Sequence, residues 1–300
     1  MGVGIYLRET RPQFLLLTPV CFLVGLGSAA VTLGGVGRVP WGYAILAFLG
    51  ALFAHVATNV LNDYFDYRSG LDLRTRPTPF SGGSGILPKG MMAPEKALWM
   101  GLGSLAITVA IGLYFVKVRG WGLLPIGLLG VLVIVLYTPL VTRRPFLCLL
   151  APGLGFGPLI VMGTHYVLVG RYDWIALWAS FVPLFLVSNL LLINQFPDLE
   201  PDRESGRYHI PIMIGRKRSS YLYGAIALSA YLWVVLAWAG GLLPGAALIA
   251  LIPFPLALVT IKGVLRYAEE MDQLLPFLGK NVLYTLLTSL LLGIGLLVAA

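Results

Sequence analysis

Charge is scarce in this 300-residue chain. Asp, Glu, Lys and Arg make up 11% of it against 58% hydrophobic residues, and the mean hydropathy is +0.86. Water-soluble domains are about one quarter charged, so a soluble catalytic or binding domain is excluded. Cysteine and histidine are also sparse. The two cysteines, Cys21 and Cys148, both lie in apolar runs, and there are three histidines, which argues against a disulfide framework or a cysteine-based zinc site. No glycine-rich stretch carries the lysine and serine or threonine of a P-loop. The net charge of +8 does not point to nucleic acid, because the basic residues are scattered between apolar runs as membrane topology would place them.

Long apolar runs are plentiful. Nine candidates of membrane-crossing length occupy 14–33, 41–62, 96–116, 121–140, 147–169, 174–196, 220–239, 243–261 and 281–300. Lipid cannot satisfy free backbone groups, and the runs are about twice the length of a barrel strand, so helices are the expected form. The expected fold is all-α: a polytopic membrane protein, a bundle of about nine transmembrane helices forming one domain over 1–300. The first run follows Arg8 and Arg11 and contains Ser28-Ala29-Ala30, as a secretory leader would, but eight further spans favour a retained helix. Of the 21 Lys and Arg, only Arg38, Lys117, Arg119 and Arg171 fall on one side of such a bundle, and of the 13 acidic residues only Asp173 does. The positive-inside rule makes the other side, with the N-terminus, cytoplasmic. The expected location is the cell (inner) membrane. Trp41, Trp121 and Trp174 stand at span starts, where interfacial anchoring accounts for them.

Two oxygen-rich clusters end spans on the cytoplasmic side. In the first, Asn59, Asn62, Asp63 and Asp66 fall within about 100° of arc on a helix, followed by Asp72. In the second, Asn194, Asp198 and Asp202 are spaced by four and align if helix survives Pro197 and Pro201. Asn59 and Asp63 correspond to Asn194 and Asp198 at a common offset of 135 residues. A single cluster is read equally well as solvated helix end, whereas a matched pair points to a shared ligand. Carboxylates facing one cavity repel unless a cation joins them, and an all-oxygen set suits a hard ion, Mg2+ first and Mn2+ next. Mg2+ is commonly held by one or two carboxylates plus substrate phosphates, so a phosphorylated ligand is expected between the clusters. Arg68, Arg74, Arg76, Arg143, Arg144, Arg203 and Arg207 surround them, either as phosphate contacts or as topology signal. The Pro79-Phe80-Ser81-Gly82-Gly83-Ser84-Gly85 stretch offers backbone donors to an anion, or is a plain turn. His55 lies two turns deeper than Asp63 and reads as a buried histidine bonded to a neighbouring helix. His165 reads as structural, and His209 as a solvated loop residue.

Asn62-Asp63-Tyr64-Phe65-Asp66 with Gly70-Leu71-Asp72, and Asn194-Gln195-Phe196-Pro197-Asp198 through Asp202 to Gly206-Arg207, resemble the motifs of the UbiA superfamily of intramembrane prenyltransferases over almost the whole chain. Ser81 to Gly85 and the segment from Phe156-Gly157-Pro158-Leu159 to Gly163-Thr164-His165-Tyr166 resemble the branch that prenylates 1,4-dihydroxy-2-naphthoate in menaquinone biosynthesis. The resemblance implies a nine-helix bundle in which both aspartate motifs face one cavity and two Mg2+ hold an isoprenyl diphosphate. It implies Asn62, Asp63 and Asp66 on one metal and Asp198 and Asp202 on the other. Asn59, Asp72 and Asn194 would be further ligands or support them, and Arg207 and Arg143 would contact the diphosphate. Tyr137, at the cytoplasmic end of the fourth span, reads either as a contact to diphosphate or cation or as ordinary interfacial packing. The chain departs from the branch at Phe146-Leu147-Cys148-Leu149-Leu150, where a glycine-leucine-glycine-glutamate-proline run is usual, and at Met213, where an arginine is usual. The expected partners are an isoprenyl diphosphate, an aromatic acceptor and membrane lipid. Other acceptors (4-hydroxybenzoate, homogentisate, a chlorophyllide, a glycerol lipid) and a secondary transporter of an anion remain as alternatives.

Overall fold

The computed structural model describes residues 3–75, 78 and 82–300, so Arg76 and the Pro79-Phe80-Ser81 part of the glycine-rich stretch lie outside the described residues. Every long element among the described residues is helical. The membrane-length helices are α1 (Pro12–Leu33), α2 (Trp41–Ser69), α3 (Pro94–Arg119), α5 (Pro145–Val169), α6 (Trp174–Asn194), α7 (Ile210–Ala239), α8 (Gly245–Tyr267) and α9 (Met271–Val298), with the shorter apolar α4 (Trp121–Leu136) between α3 and α5. The helices follow the expected order, so the chain is an integral multi-pass membrane protein. Their outer faces carry large apolar side chains such as Trp99, Leu128 and Leu232, exposed to 71, 55 and 56%, which is the inverse of a soluble surface and suits lipid. Trp41, Trp121 and Trp174 are exposed at one end of the bundle.

Helix ends depart from the expected spans where backbone chemistry intervenes. α4 stops at Leu136, short of residue 140, because Pro139 disfavours helix in the residue before it. α7 starts at Ile210, ten residues before the apolar run, and breaks at Gly215, whose φ of 82° is left-handed. α9 starts at Met271 and carries a polar first turn outside the hydrocarbon. α5 contains Pro152 and Pro158, each lacking a backbone donor, and its turn over Gly155–Leu159 widens to a π-helix.

Close packing in lipid depends on small residues at helix crossings. A Cβ on Gly153 or Gly157 of α5 would stand 2.3 Å from the Leu184 carbonyl oxygen or 2.5 Å from the Ser180 carbonyl oxygen, so α5 touches α6 backbone to backbone. α1, α6, α7 and α9 enclose a core around Val24, Leu186, Val234, Tyr284 and Leu296. Behind it, interhelical hydrogen bonds join Tyr223 of α7 to Asn281 and Tyr284 of α9, both at 2.9 Å. On the other side, residues of α2, α3, α4 and α5 line an apolar cavity, although α3 packs closely on α2, where a Cβ on Gly101 would stand 2.7 Å from Leu61.

Candidate active site

The first cluster is carried as expected by the last turns of α2, which ends at Gly70 with a φ of 77°. Leu71 and Asp72 fold back with their amides donating to the Asp66 carbonyl oxygen, which returns Asp72 toward the carboxylates. The second cluster differs from the expectation of one continuous helical stripe. α6 ends at Asn194, residues 195–198 form a turn, and a short helix over Leu199–Glu204 follows. Pro197 and Pro201 explain the break, each removing a backbone donor. Asn194, Asp198 and Asp202 therefore come from a helix end, a turn and a new helix. They still line the same polar cavity of about 220 Å³, together with Asn59, Asn62, Asp66 and Asp72 of the first cluster and with Tyr137 and Arg207.

Arg207 joins the two clusters. One of its terminal nitrogens donates to Asp202 at 3.0 Å and the other to Asp66. Burial alone would lower the guanidinium pKa, but the two carboxylates outweigh it and raise it, so Arg207 is a fixed cation. Asn62 donates to Asp66 Oδ2 at 2.9 Å and to Thr138 Oγ1 at 3.0 Å, tying α2 to the turn after α4. Arg143 is not brought to this group. It is exposed and lies outside the cavity lining, because it sits at the end of a short 3₁₀ turn facing solvent. Arg68, Arg74, Arg144 and Arg203 are exposed as well.

Asp63 is the most enclosed carboxylate of the two clusters, 1% exposed and outside the cavity lining. Its Oδ1 accepts from Arg11 Nη1 at 3.3 Å and its Oδ2 from the Ser84 backbone amide at 2.8 Å. The glycine-rich stretch thus does present a backbone donor to an anion, and the anion is Asp63. The sequence pattern marks Arg11 only as a topology signal and Ser84 only as part of the glycine-rich stretch, and it singles out neither Glu9 nor Thr138. The one local hint was Arg11 preceding Pro12 at the entry to α1, where it adopts a left-handed φ of 56°. Glu9 is fully buried, and its Oε2 accepts from Ser84 Oγ at 2.8 Å.

His209 is also a correction. It is 1% exposed instead of solvated, and its Nε2 pairs with Asp202 Oδ2 at 2.9 Å. His55 Nδ1 pairs with Thr18 Oγ1 of α1 at 2.8 Å, while its ring meets Phe156 edge to face. His165 Nδ1 pairs with Ser28 Oγ at 3.0 Å, away from the site. Cys21 and Cys148 are free and buried. Cys148 lines the polar cavity, where its sulfur accepts from Gln195 Nε2 at 3.2 Å.

Like charges in a confined space leave an electrostatic mark. Burial first, then Asp66 and Asp63, push Asp72 up to about 8 against the pull of Arg11 and Arg207. Burial and then Asp63 push Glu9 up to about 7, partly offset by the Ser84 hydrogen bond and Arg11. Among the described residues no three His, Cys, Asp or Glu side chains stand close enough to hold an ion as they are arranged; Arg11 and Arg207 supply the positive charge. The donor chemistry nevertheless fits a hard cation. It consists of carboxylate and amide oxygens, and Asn194 Oδ1 is buried without a hydrogen-bond partner.

The polar cavity opens into the second, apolar one. The latter, of about 430 Å³, runs between α2, α3, α4 and α5 and shares His55, Asn59, Tyr137, Pro152 and Phe156 with the first. A charged pocket at one end of a bundle continuing into an apolar cavity defines a site for an amphipathic substrate with an anionic head and a lipid tail.

Comparison with known proteins agrees. The chain belongs to the UbiA prenyltransferase family, which matches residues 20–280. It is a prenyltransferase, and a transporter is set aside. It is 29% identical over 266 residues to the 1,4-dihydroxy-2-naphthoate octaprenyltransferase of Bacillus subtilis, covering 85% of this chain and 82% of that one. It is also 29% identical over 234 residues to the digeranylgeranylglyceryl phosphate synthase of Thermococcus kodakarensis, covering 76% and 75%. A solved structure of a UbiA homologue from Archaeoglobus fulgidus bound to GPP and Mg2+ shares the fold. It superposes with a TM-score of 0.62 at 15% identity, over 96% of this chain and 99% of that one.

Proposed function

We propose that the chain is a single-domain, Mg2+-dependent enzyme that transfers a polyprenyl group from an isoprenyl diphosphate to 1,4-dihydroxy-2-naphthoate in menaquinone biosynthesis. Its N-terminus and acidic clusters would face the cytoplasm. The observation that carries this reading is Arg207 bonded to Asp66 and Asp202 at once, since it supports two distant sequence motifs serving one headgroup. A divalent cation bound there would supply Lewis-acid charge to the diphosphate oxygens, a contribution of several kcal/mol.

The chain's own residues do the rest. Asn62, Asp63 and Asp66 would hold one cation and Asp198 and Asp202 the other, with Asn59, Asp72 and Asn194 orienting them. As the allylic C–O bond breaks, negative charge grows on the leaving diphosphate, and Arg207 is placed to stabilise it. Tyr137 lines both cavities, which puts a ring and a hydroxyl at the junction of head and tail. The walls of the apolar cavity accommodate the prenyl chain and keep water from the allylic cation. An electron-rich acceptor ring then captures that cation, and loss of a proton or of carbon dioxide from the attacked ring carbon restores its aromaticity.

A second reading, a glycerol-lipid acceptor, is favoured by one observation: the synthase from Thermococcus kodakarensis matches at the same identity as the naphthoate enzyme. The deciding experiment incubates purified protein with Mg2+ and an isoprenyl diphosphate, offering either 1,4-dihydroxy-2-naphthoate or geranylgeranylglyceryl phosphate. Prenylated naphthoate with release of pyrophosphate is the expected product. Prenylation of the glycerol lipid alone would replace the acceptor while keeping the class of reaction.

A further inference from the structure

The segment just before α1 is built more expensively than a tether requires. Glu9 is 0% exposed, one of its oxygens accepts from Ser84 Oγ at 2.8 Å, and the other, Oε1, is buried without a partner. Thr10 offers its carbonyl oxygen to Asn59 Nδ2 at 2.9 Å. Arg11 takes a left-handed backbone conformation that few residues adopt, and its Nε is buried and unpartnered. A buried carboxylate with an unpaired oxygen, placed beside another carboxylate, opposes folding. Nothing in the packing of the bundle calls for it.

What the arrangement does is fix two donors on Asp63. Arg11 reaches Oδ1 from one side, and the Ser84 amide reaches Oδ2 from the other. Glu9 binds the hydroxyl of that same Ser84, so the N-terminal segment and the loop after α2 are tied to each other as well as to Asp63. Both line the polar cavity, through Arg11 on one side and Gly82 and Gly83 on the other.

We infer that Glu9 is a positioning residue for the diphosphate headgroup: by holding Ser84 it keeps the N-terminal segment and the α2–α3 loop in register around Asp63. The inference rests on the headgroup assignment proposed above. Glu9 itself touches neither substrate nor cation. Outer hydrogen-bond partners of this kind typically govern affinity for the ion or anion held by the residues they orient.

The test uses the full-length protein in lipid nanodiscs, with inorganic pyrophosphate and Mg2+ as the binding probe, read as the gain in Tm on binding. E9A is expected to raise KM for the isoprenyl diphosphate about 10-fold with kcat nearly unchanged, and to lose most of the Tm gain. E9Q retains an oxygen that accepts from Ser84 and is expected to restore both. Wild-type KM and Tm gain in E9A, or E9Q as impaired as E9A, would overturn the role. If E9A does not fold, S84A carries the test, because it removes the hydroxyl and keeps the amide; an unchanged KM there would equally overturn it. D63A separates the two layers. Its retention of the full Tm gain would overturn the headgroup assignment and the Glu9 role together, whereas a silent E9A beside an unresponsive D63A would overturn the Glu9 role alone.

Discussion

At the scale of single residues, the site stores electrostatic tension that a cation and an anionic headgroup would release together. Asp66 and Asp202 share Arg207, and Asp63 shares Arg11, so each carboxylate meets positive charge that is itself attracted to phosphate. Asp198→Ala removes a carboxylate that lines the cavity. It should reduce prenyl transfer by ~10²- to 10³-fold; normal turnover in this variant would refute its role. The raised carboxylates give a pH dependence of definite sign. Asp72, pushed up to about 8, is mostly protonated at neutral pH, and Glu9, at about 7, titrates across it. Protons compete with a divalent cation for Asp72, so metal binding releases them and tightens as pH rises. The Mg2+ concentration for half-maximal activity should fall between about pH 6.5 and 8.5, and the dependence should flatten in Asp72→Asn. A half-saturation that rises over that interval would contradict the assignment.

At the scale of elements, the two acidic motifs show what a sequence discloses and what it conceals. Asn59, Asn62, Asp63 and Asp66 sit on a helix free of proline, and counting 100° per residue puts Asn59, Asn62 and Asp66 on the cavity wall, while Asp63, in the same arc, is held by Arg11 and the Ser84 amide. Asn194, Asp198 and Asp202 looked equivalent by spacing, yet Pro197 and Pro201 turn the chain between them. They reach the cavity through tertiary packing that no periodicity encodes. His209 was hidden for a similar reason: it is buried where it pairs with Asp202 of the short Leu199–Glu204 helix, a contact that its own stretch of sequence does not announce. Glu9 carried no local signal of function, because its partner Ser84 is 75 residues away. Helix α5 makes a prediction of its own. A side chain at Gly157 would press on the Ser180 carbonyl oxygen at 2.5 Å and the Leu184 nitrogen at 2.9 Å. Both are backbone atoms that cannot rotate away. Gly157→Val should cost about 1–3 kcal/mol by forcing α5 from α6, seen as a lower unfolding midpoint in detergent; a midpoint equal to wild type would show that the crossing is slacker than described.

At the scale of the whole molecule, the fold divides its labour. The α1, α6, α7 and α9 side surrounds the main apolar core, while α2 to α5 line an apolar space that shares wall residues with the polar pocket. Hydropathy alone disclosed the helical class and the order of the spans, because lipid permits so few alternatives. It did not disclose which helices line the cavity, since cavity walls and lipid-facing surfaces are equally apolar. The central claim is that both acidic clusters grip one diphosphate, and a structure of the protein with Mn2+ and an unreactive isoprenyl thiodiphosphate tests it most directly. The account predicts Mn2+ density beside Asp63 and Asp66 and again beside Asp198 and Asp202, flanking a single diphosphate whose chain enters the α2–α5 cavity. A diphosphate bound against one cluster only, with the other still closed on Arg207, would contradict it.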